Sequence, residues 1–127
     1  MSKVVVKTRE APEAVGPYSQ GVGANGLVFC SGQIPLDPQT GELVGGSIAD
    51  QTRRCMQSLS AVLAAAGSSL EKMVKVTVYL ADIADYAEFN DAYAAFVGDE
   101  PPARAAFAVA ALPKEARVEV ECVAVVD

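Results

Sequence analysis

Apolar and polar positions change their period several times along the chain, and each change marks an element. The β-branched run that opens at Val4 and ends at Lys7 predicts a short strand, and the Pro and Gly residues between Ala11 and Pro17 predict a surface loop. Gly21 to Ala24 and Leu27 to Ser31 flank Asn25-Gly26, a pair suited to the two positive-φ positions of a type I′ turn, so this stretch predicts a tight β-hairpin. Pro35, Pro38, Gly41, Gly45 and Gly46 punctuate a long loop. The period then becomes helical: Ile48, Cys55, Met56, Leu59, Val62, Leu63 and Ala66 form one stripe and leave Arg53, Arg54, Gln57 and Ser58 outside. That pattern predicts a helix over 48–66, with Ser47 as N-cap, Asp50 against the positive helix end and Gly67 as the stop.

Val74, Val76, Val78 and Leu80 alternate with Lys75, Thr77 and Tyr79, the signature of a strand. A second helix is predicted over 86–97, with Asp85 as N-cap, Glu88 three residues on, and Tyr86, Phe89, Tyr93 and Phe96 at helical spacing. Two last strands, over 103–110 and 117–126, join through a short loop at Pro113. Both are apolar on both sides: Ala105, Phe107 and Val109 alternate with Ala106, Ala108 and Ala110, and Val118, Val120 and Cys122 with Val123 and Val125. Two helices cover one face of such a sheet, so the other face calls for a second subunit.

The 127 residues suffice for one domain, 1–127, with no linker inside it. The absence of histidine removes Ser-His-Asp and Cys-His nucleophile systems and the commonest transition-metal ligand. Ten Lys and Arg against 16 Asp and Glu give a formal charge of −6, which opposes nucleic-acid binding. Cys30, Cys55 and Cys122 are odd in number and widely spaced, neither a disulfide framework nor a metal knuckle, which suits a reducing cytoplasm. The longest apolar run, Ala105 to Leu112, falls far short of the ~20 residues of a membrane span, and no signal peptide is evident.

Gly21-Val22-Gly23-Ala24-Asn25-Gly26 matches the dinucleotide fingerprint in letters only, since its last glycine leads into a strand and not a helix. Arg104 begins a strand of small apolar residues, and alternation sets it in a row with Ala106, Ala108 and Ala110 that leaves space above the sheet. It is either a carboxylate clamp or a strand-edge arginine paired to a surface acid. Glu119 and Glu121 share one face of the last strand, as solvent-facing acids or as a poised base. Tyr18 lies in a polar segment with neither a helical nor a strand face to fill, and Ser31 and Gly32 end the hairpin where a hydroxyl and an N–H can donate to an anion. Asn90 shares a helix face with Tyr86 and Tyr93, as a satisfied buried amide or a ligand contact. Asp37, Asp82, Asp85 and Asp99 read as caps and turn residues, and Met56, Tyr79, Tyr86, Phe89 and Phe96 as core or interface.

Taken in order, Gly16-Pro17-Tyr18-Ser19-Gln20, Ser31-Gly32-Gln33-Ile34-Pro35 with Thr40-Gly41-Glu42, Asn90-x-x-Tyr93-x-x-Phe96, Pro102-Ala103-Arg104, and Leu112-Pro113 followed by Val118-Glu119-Val120-Glu121 resemble the reactive intermediate deaminase (RidA/YjgF) family. The resemblance implies a chorismate-mutase-like α+β fold, a mixed sheet with two helices on one face, assembled as a homotrimer with clefts between subunits. It implies hydrolysis of 2-iminobutanoate and 2-iminopropanoate to 2-oxo acids and ammonia, without metal or cofactor. Arg104 would bind the substrate carboxylate, Glu119 would orient or activate water, and Tyr18, Ser31, Gly32 and Asn90 would line the pocket. Ala106 departs from the cysteine many members carry two residues after the arginine, and the stretch between Asn90 and Arg104 is a few residues short, with Pro101 where an aromatic is common. The alternatives are a non-catalytic binder of small carboxylates such as 2-oxo acids and a holdase-like regulatory trimer, in which Arg104 would be dispensable.

Overall fold

The computed structural model describes residues 2–127. Its strands are β1 (Val4–Val6), β2 (Gly21–Ala24), β3 (Leu27–Gln33), β4 (Met73–Leu80), β5 (Ala103–Ala108) and β6 (Val118–Val125); its helices are α1 (Ile48–Ala65) and α2 (Tyr86–Ala94). The strands form one α+β sheet in the order β1-β2-β3-β6-β4-β5, in which only β4 and β5 run parallel. Asn25 and Gly26 hold the hairpin turn with φ of 53° and 76°, and the glycine-rich stretch is itself strand β2 and its turn, leading into β3 and not into a helix.

α1 begins as its sequence predicts, in a capping box: Ser47 Oγ accepts the Asp50 N–H at 3.1 Å and the Asp50 carboxylate accepts the Ser47 N–H. Its stripe of Ile48, Met56, Leu59 and Leu63 is fully buried together with Val28, Val76, Val78, Val118 and Val120 of the sheet. Each such side chain withdrawn from water contributes about 1.5–3 kcal/mol, the bulk of what holds this layer together. The stripe is wider than the sequence predicts: Gln51, Thr52 and Ser58 are buried as well, Gln51 donating to the Val44 carbonyl at 3.1 Å and accepting the Arg117 N–H at 2.9 Å. Ser58, expected outside, has no exposed surface, and Arg54 Nε is buried without a partner.

α2 is shorter than expected, ending at Ala94, and Asp85 is not its capping side chain. Asp82 instead caps a single 3-10 turn over Ile83–Asp85 by accepting the Ala84 N–H at 2.9 Å, and Asp85 accepts a hydrogen bond from Arg117 Nη2 at 2.9 Å. β4 also differs: a register shift between Met73 and Lys75 turns Met73 into the core and leaves Val74 45% exposed, so the alternation starts at Val76. All three cysteines are free and buried. The Cys122 thiol lies opposite Cys30 across β3 and β6 and is pushed up by the hydrogen bond between them and by burial.

Both helices lie over one face of the sheet. The other face carries Val22, Phe29, Val123, Thr77, Glu121, Tyr79, Glu119, Ala105 and Phe107, in register across five strands. Among the described residues no element covers Phe29 or Phe107, which stay 47% and 45% exposed.

Candidate functional site

Glu119 and Glu121 project from β6 onto the bare face and line one cleft of about 520 Å3 with Tyr18, Ser31, Gly32, Ile34, Leu36 and Lys114. A bulge in β3 shapes it. Cys30 pairs with Cys122 and Gln33 with Val120, so Ser31 and Gly32 together oppose Glu121 alone. The extra residue turns the strand end so that the Glu119 carboxylate sits over Gly32. The far wall is the turn at Pro113–Glu115, where Lys114 and Glu115 both take left-handed backbone with φ of 57°. Lys114 Nζ donates to the Gly41 carbonyl at 3.0 Å and ties that turn to the loop before α1.

Burial pushes the Glu119 carboxyl above the usual carboxylate range, and the neighbouring Glu121 adds to the shift. Glu121 accepts a hydrogen bond from Tyr79 Oη at 2.5 Å. That bond, helped by burial and by the two carboxylates, pushes the Tyr79 phenol up to about 12, so it remains a donor at neutral pH. Tyr18 stands half exposed at the mouth of the cleft. Ser31 is placed as the sequence suggests, but its hydroxyl donates to the Ser19 carbonyl at 2.5 Å, and its N–H to the Gln20 carbonyl at 2.9 Å. Its proton therefore secures the Tyr18 loop, which is a different use from the expected gift to an anion.

Arg104 and Asn90 lie elsewhere. Arg104 pairs with Val76 and lies in the row of Val76 and Cys122, on the helix-covered face, whereas Glu119 pairs with Tyr79 in the row of Phe107. The two residues thus project from opposite faces of the same sheet. Nor is the space above the Arg104 row empty. Rings of α2 fill it: the guanidinium carbon lies 5.7 Å from the Tyr86 and Phe89 centroids and 5.1 Å from that of Tyr93, and Nη2 donates to Tyr86 Oη at 3.0 Å. Among the described residues no carboxylate pairs with Arg104, which excludes the expected strand-edge ion pair. Asn90 Oδ1, on the same helix, is buried without a hydrogen-bond partner, and so is Tyr93 Oη.

Sequence reasoning read Met56 and Phe89 as core, and they are fully buried. It missed the polar work of Tyr79 and Tyr86, and Lys114 altogether. The alternation of β4 puts Tyr79 beside Lys75 and Thr77 on the uncovered face, which was the available signal; nothing in the sequence foretold the left-handed turn that carries Lys114 to the cleft.

Fold and cleft together define a small α+β protein of the class described as Endoribonuclease L-PSP, whose family model matches residues 8–126. The chain belongs to the reactive intermediate deaminase (RidA/YjgF) family. A RutC family protein of Pyrococcus horikoshii is 48% identical over 96% of this chain and 97% of its own length. A 2-iminobutanoate/2-iminopropanoate deaminase of Bos taurus is 44% identical over 95% of this chain and 88% of its own. The crystal structure of E. coli TdcF with bound serine superposes with a TM-score of 0.92 at 39% identity, covering 98% of this chain and 99% of that one.

Proposed function

We propose that the protein hydrolyses 2-imino acids, such as 2-iminopropanoate and 2-iminobutanoate, at clefts formed between subunits of a homotrimer. The observation that carries this reading is the placement of Arg104 and Glu119 on opposite faces of one sheet. No single chain can bring them to one small molecule, whereas a neighbour packed on the bare face sets its Arg104 and Asn90 against this chain's Glu119, Gly32, Ser31 and Tyr18. The same packing covers Phe29 and Phe107.

In this site the unpaired guanidinium of Arg104 takes the substrate carboxylate, which leaves the C2 iminium carbon over the Glu119 carboxylate. Glu119 accepts a proton from water as the water oxygen bonds to C2, giving a tetrahedral carbinolamine. It then returns that proton to the nitrogen, and the C–N bond breaks as the C2 hydroxyl gives its proton to the Glu119 carboxylate and on to solvent, releasing ammonia and the 2-oxo acid. The raised pKa of Glu119 makes it a better proton acceptor than an ordinary carboxylate, which suits a group that must both take and give a proton. An iminium carbon is already electrophilic, so placement and one proton carrier suffice. The deaminase named for Bos taurus and the serine held by TdcF support a ligand of amino-acid type. Ribonuclease chemistry, which the family description suggests, fits poorly with a chain of charge −6 that lacks histidine.

The test is complementation. Arg104→Ala and Glu119→Gln are each assayed for loss of 2-iminopropanoate generated in situ by an amino-acid oxidase, then mixed one to one under subunit exchange. Each variant alone is inactive, and random mixing restores about a quarter of the sites, because each restored site needs one intact residue from each of two neighbours. Mixed trimers without activity would place the whole site in one subunit. A parent protein that does not accelerate the reaction would remove the deaminase reading and leave a carboxylate-binding site.

A further inference from the structure

Arg104 is held in an unusual way for a buried-edge cation. Three aromatic rings surround its guanidinium, and its one protein hydrogen bond goes to a phenol oxygen. A neutral acceptor uses one of the five guanidinium N–H groups without cancelling the charge, which stays available to an incoming anion. The three rings are not equivalent. Phe89 has no polar atom to offer and the Tyr93 hydroxyl is buried, whereas Tyr86 is 38% exposed. A phenol that accepts a hydrogen bond still has its own O–H to donate, and hydrogen bonding to a cation strengthens that donor.

We propose that Tyr86 completes the carboxylate clamp: its hydroxyl accepts Nη2–H of Arg104 and donates its own proton to one oxygen of the substrate carboxylate. The inference rests on the reading of Arg104 as the carboxylate-binding residue and adds a second donor to it. Tyr86 and Arg104 then present O–H and N–H side by side, so a carboxylate is distinguished from a neutral group of the same shape. The bare ring of a phenylalanine would pack as well, which makes the hydroxyl the separable part.

The experiment compares the parent protein with Tyr86→Phe and Arg104→Ala, using turnover of 2-iminopropanoate and competitive inhibition by 2-oxopropanoate and by its neutral amide, 2-oxopropanamide. In Tyr86→Phe, KM and the inhibition constant of the acid rise about five- to ten-fold, kcat stays within about two-fold and inhibition by the amide is unchanged. Thermal unfolding of the variant remains that of the parent. Equal weakening of acid and amide would mean that the hydroxyl only shapes the pocket and would overturn the proposal. So would an unchanged KM in Tyr86→Phe alongside loss of acid binding in Arg104→Ala, an outcome that leaves Arg104 in its role. Unchanged acid binding in Arg104→Ala would overturn the reading of the site itself.

Discussion

The Glu119 carboxylate occupies the space that a side chain at residue 32 would need: a Cβ built on Gly32 would stand 2.9 Å from Glu119 Cδ and 3.1 Å from its Cγ. In the proposed mechanism Gly32 therefore matters as much as Glu119, since the position of the carboxylate depends on an absent methyl group. Gly32→Ala would force Glu119 to turn away, while the β3 bulge and the core on the opposite face stay as they are. The expected result is a fall in kcat/KM of at least about ten-fold, with the unfolding midpoint changed by less than about 1 kcal/mol in free-energy terms. Steady-state kinetics and urea unfolding of the same preparation check it.

If Glu119 is the base of the proposed mechanism, Glu121 helps to set the pH range of the reaction. Burial is the first cause of the raised Glu119 pKa and the charge of Glu121 the second. As a base, Glu119 must be ionised, so kcat/KM falls as pH drops through its raised pKa. Glu121→Gln removes the like charge, lowers that pKa and carries the acid limb to lower pH. The other charged and titratable side chains lining this cleft, Glu13, Lys114 and Tyr18, and the Arg104 that a neighbour brings to it in the proposed trimer, are unchanged by the substitution, and Tyr79 keeps a carbonyl to donate to. The ratio of variant to parent activity is expected to be at least about three times larger near pH 5 than near pH 8. A pH profile of kcat/KM decides it, and an acid limb that stays put would show that Glu121 does not act on Glu119.

Much of this was legible in the sequence, and the limits have physical causes. The Asn25-Gly26 pair places the hairpin, and period alone places α1 and β6, because each of these two buries one face against a single layer. Glu119 and Glu121 could be put on one side of a strand for the same reason. The strand ends were less legible: the shift at Met73 and the bulge at Ser31 and Gly32 depend on pairing with β6, some 50 and 90 residues further along. Arg104 was recognisable as an odd charge in an apolar strand, yet the face it takes depends on the register between β4 and β5, and its three aromatic neighbours on where α2 lands. Local pattern carries no information about those distances.

The flank between the helices offers a stability test. Thr52 is fully buried and its hydroxyl has no partner, so it is desolvated without compensation. Thr52→Val replaces that hydroxyl by a methyl of similar size on the same β-branched frame. A gain of about 1 kcal/mol in unfolding free energy is expected, with no change in turnover, because Thr52 neither lines the Glu119 cleft nor is one of the side chains that hold Arg104. Chemical denaturation of the variant measures it, and a loss of stability would mean that the hydroxyl does find a partner in solution.

The last prediction sets stability against activity at Glu119. A carboxyl whose pKa is higher in the folded chain than in the unfolded one binds its proton more tightly when folded. The sign follows: Glu119 supports the fold when protonated, and that support disappears as pH rises through its folded pKa, above which its ionised form strains the fold. Glu119→Gln is uncharged at every pH and escapes this. The variant is expected to lose about 100-fold or more of its turnover while unfolding at a higher temperature than the parent at pH 7, with the advantage shrinking toward pH 4. Calorimetric unfolding across that range, paired with the imine assay, tests both halves. An advantage that grew on acidification would mean that the carboxylate is stabilised in the fold, and Glu119 would then be a structural acid in place of a poised base.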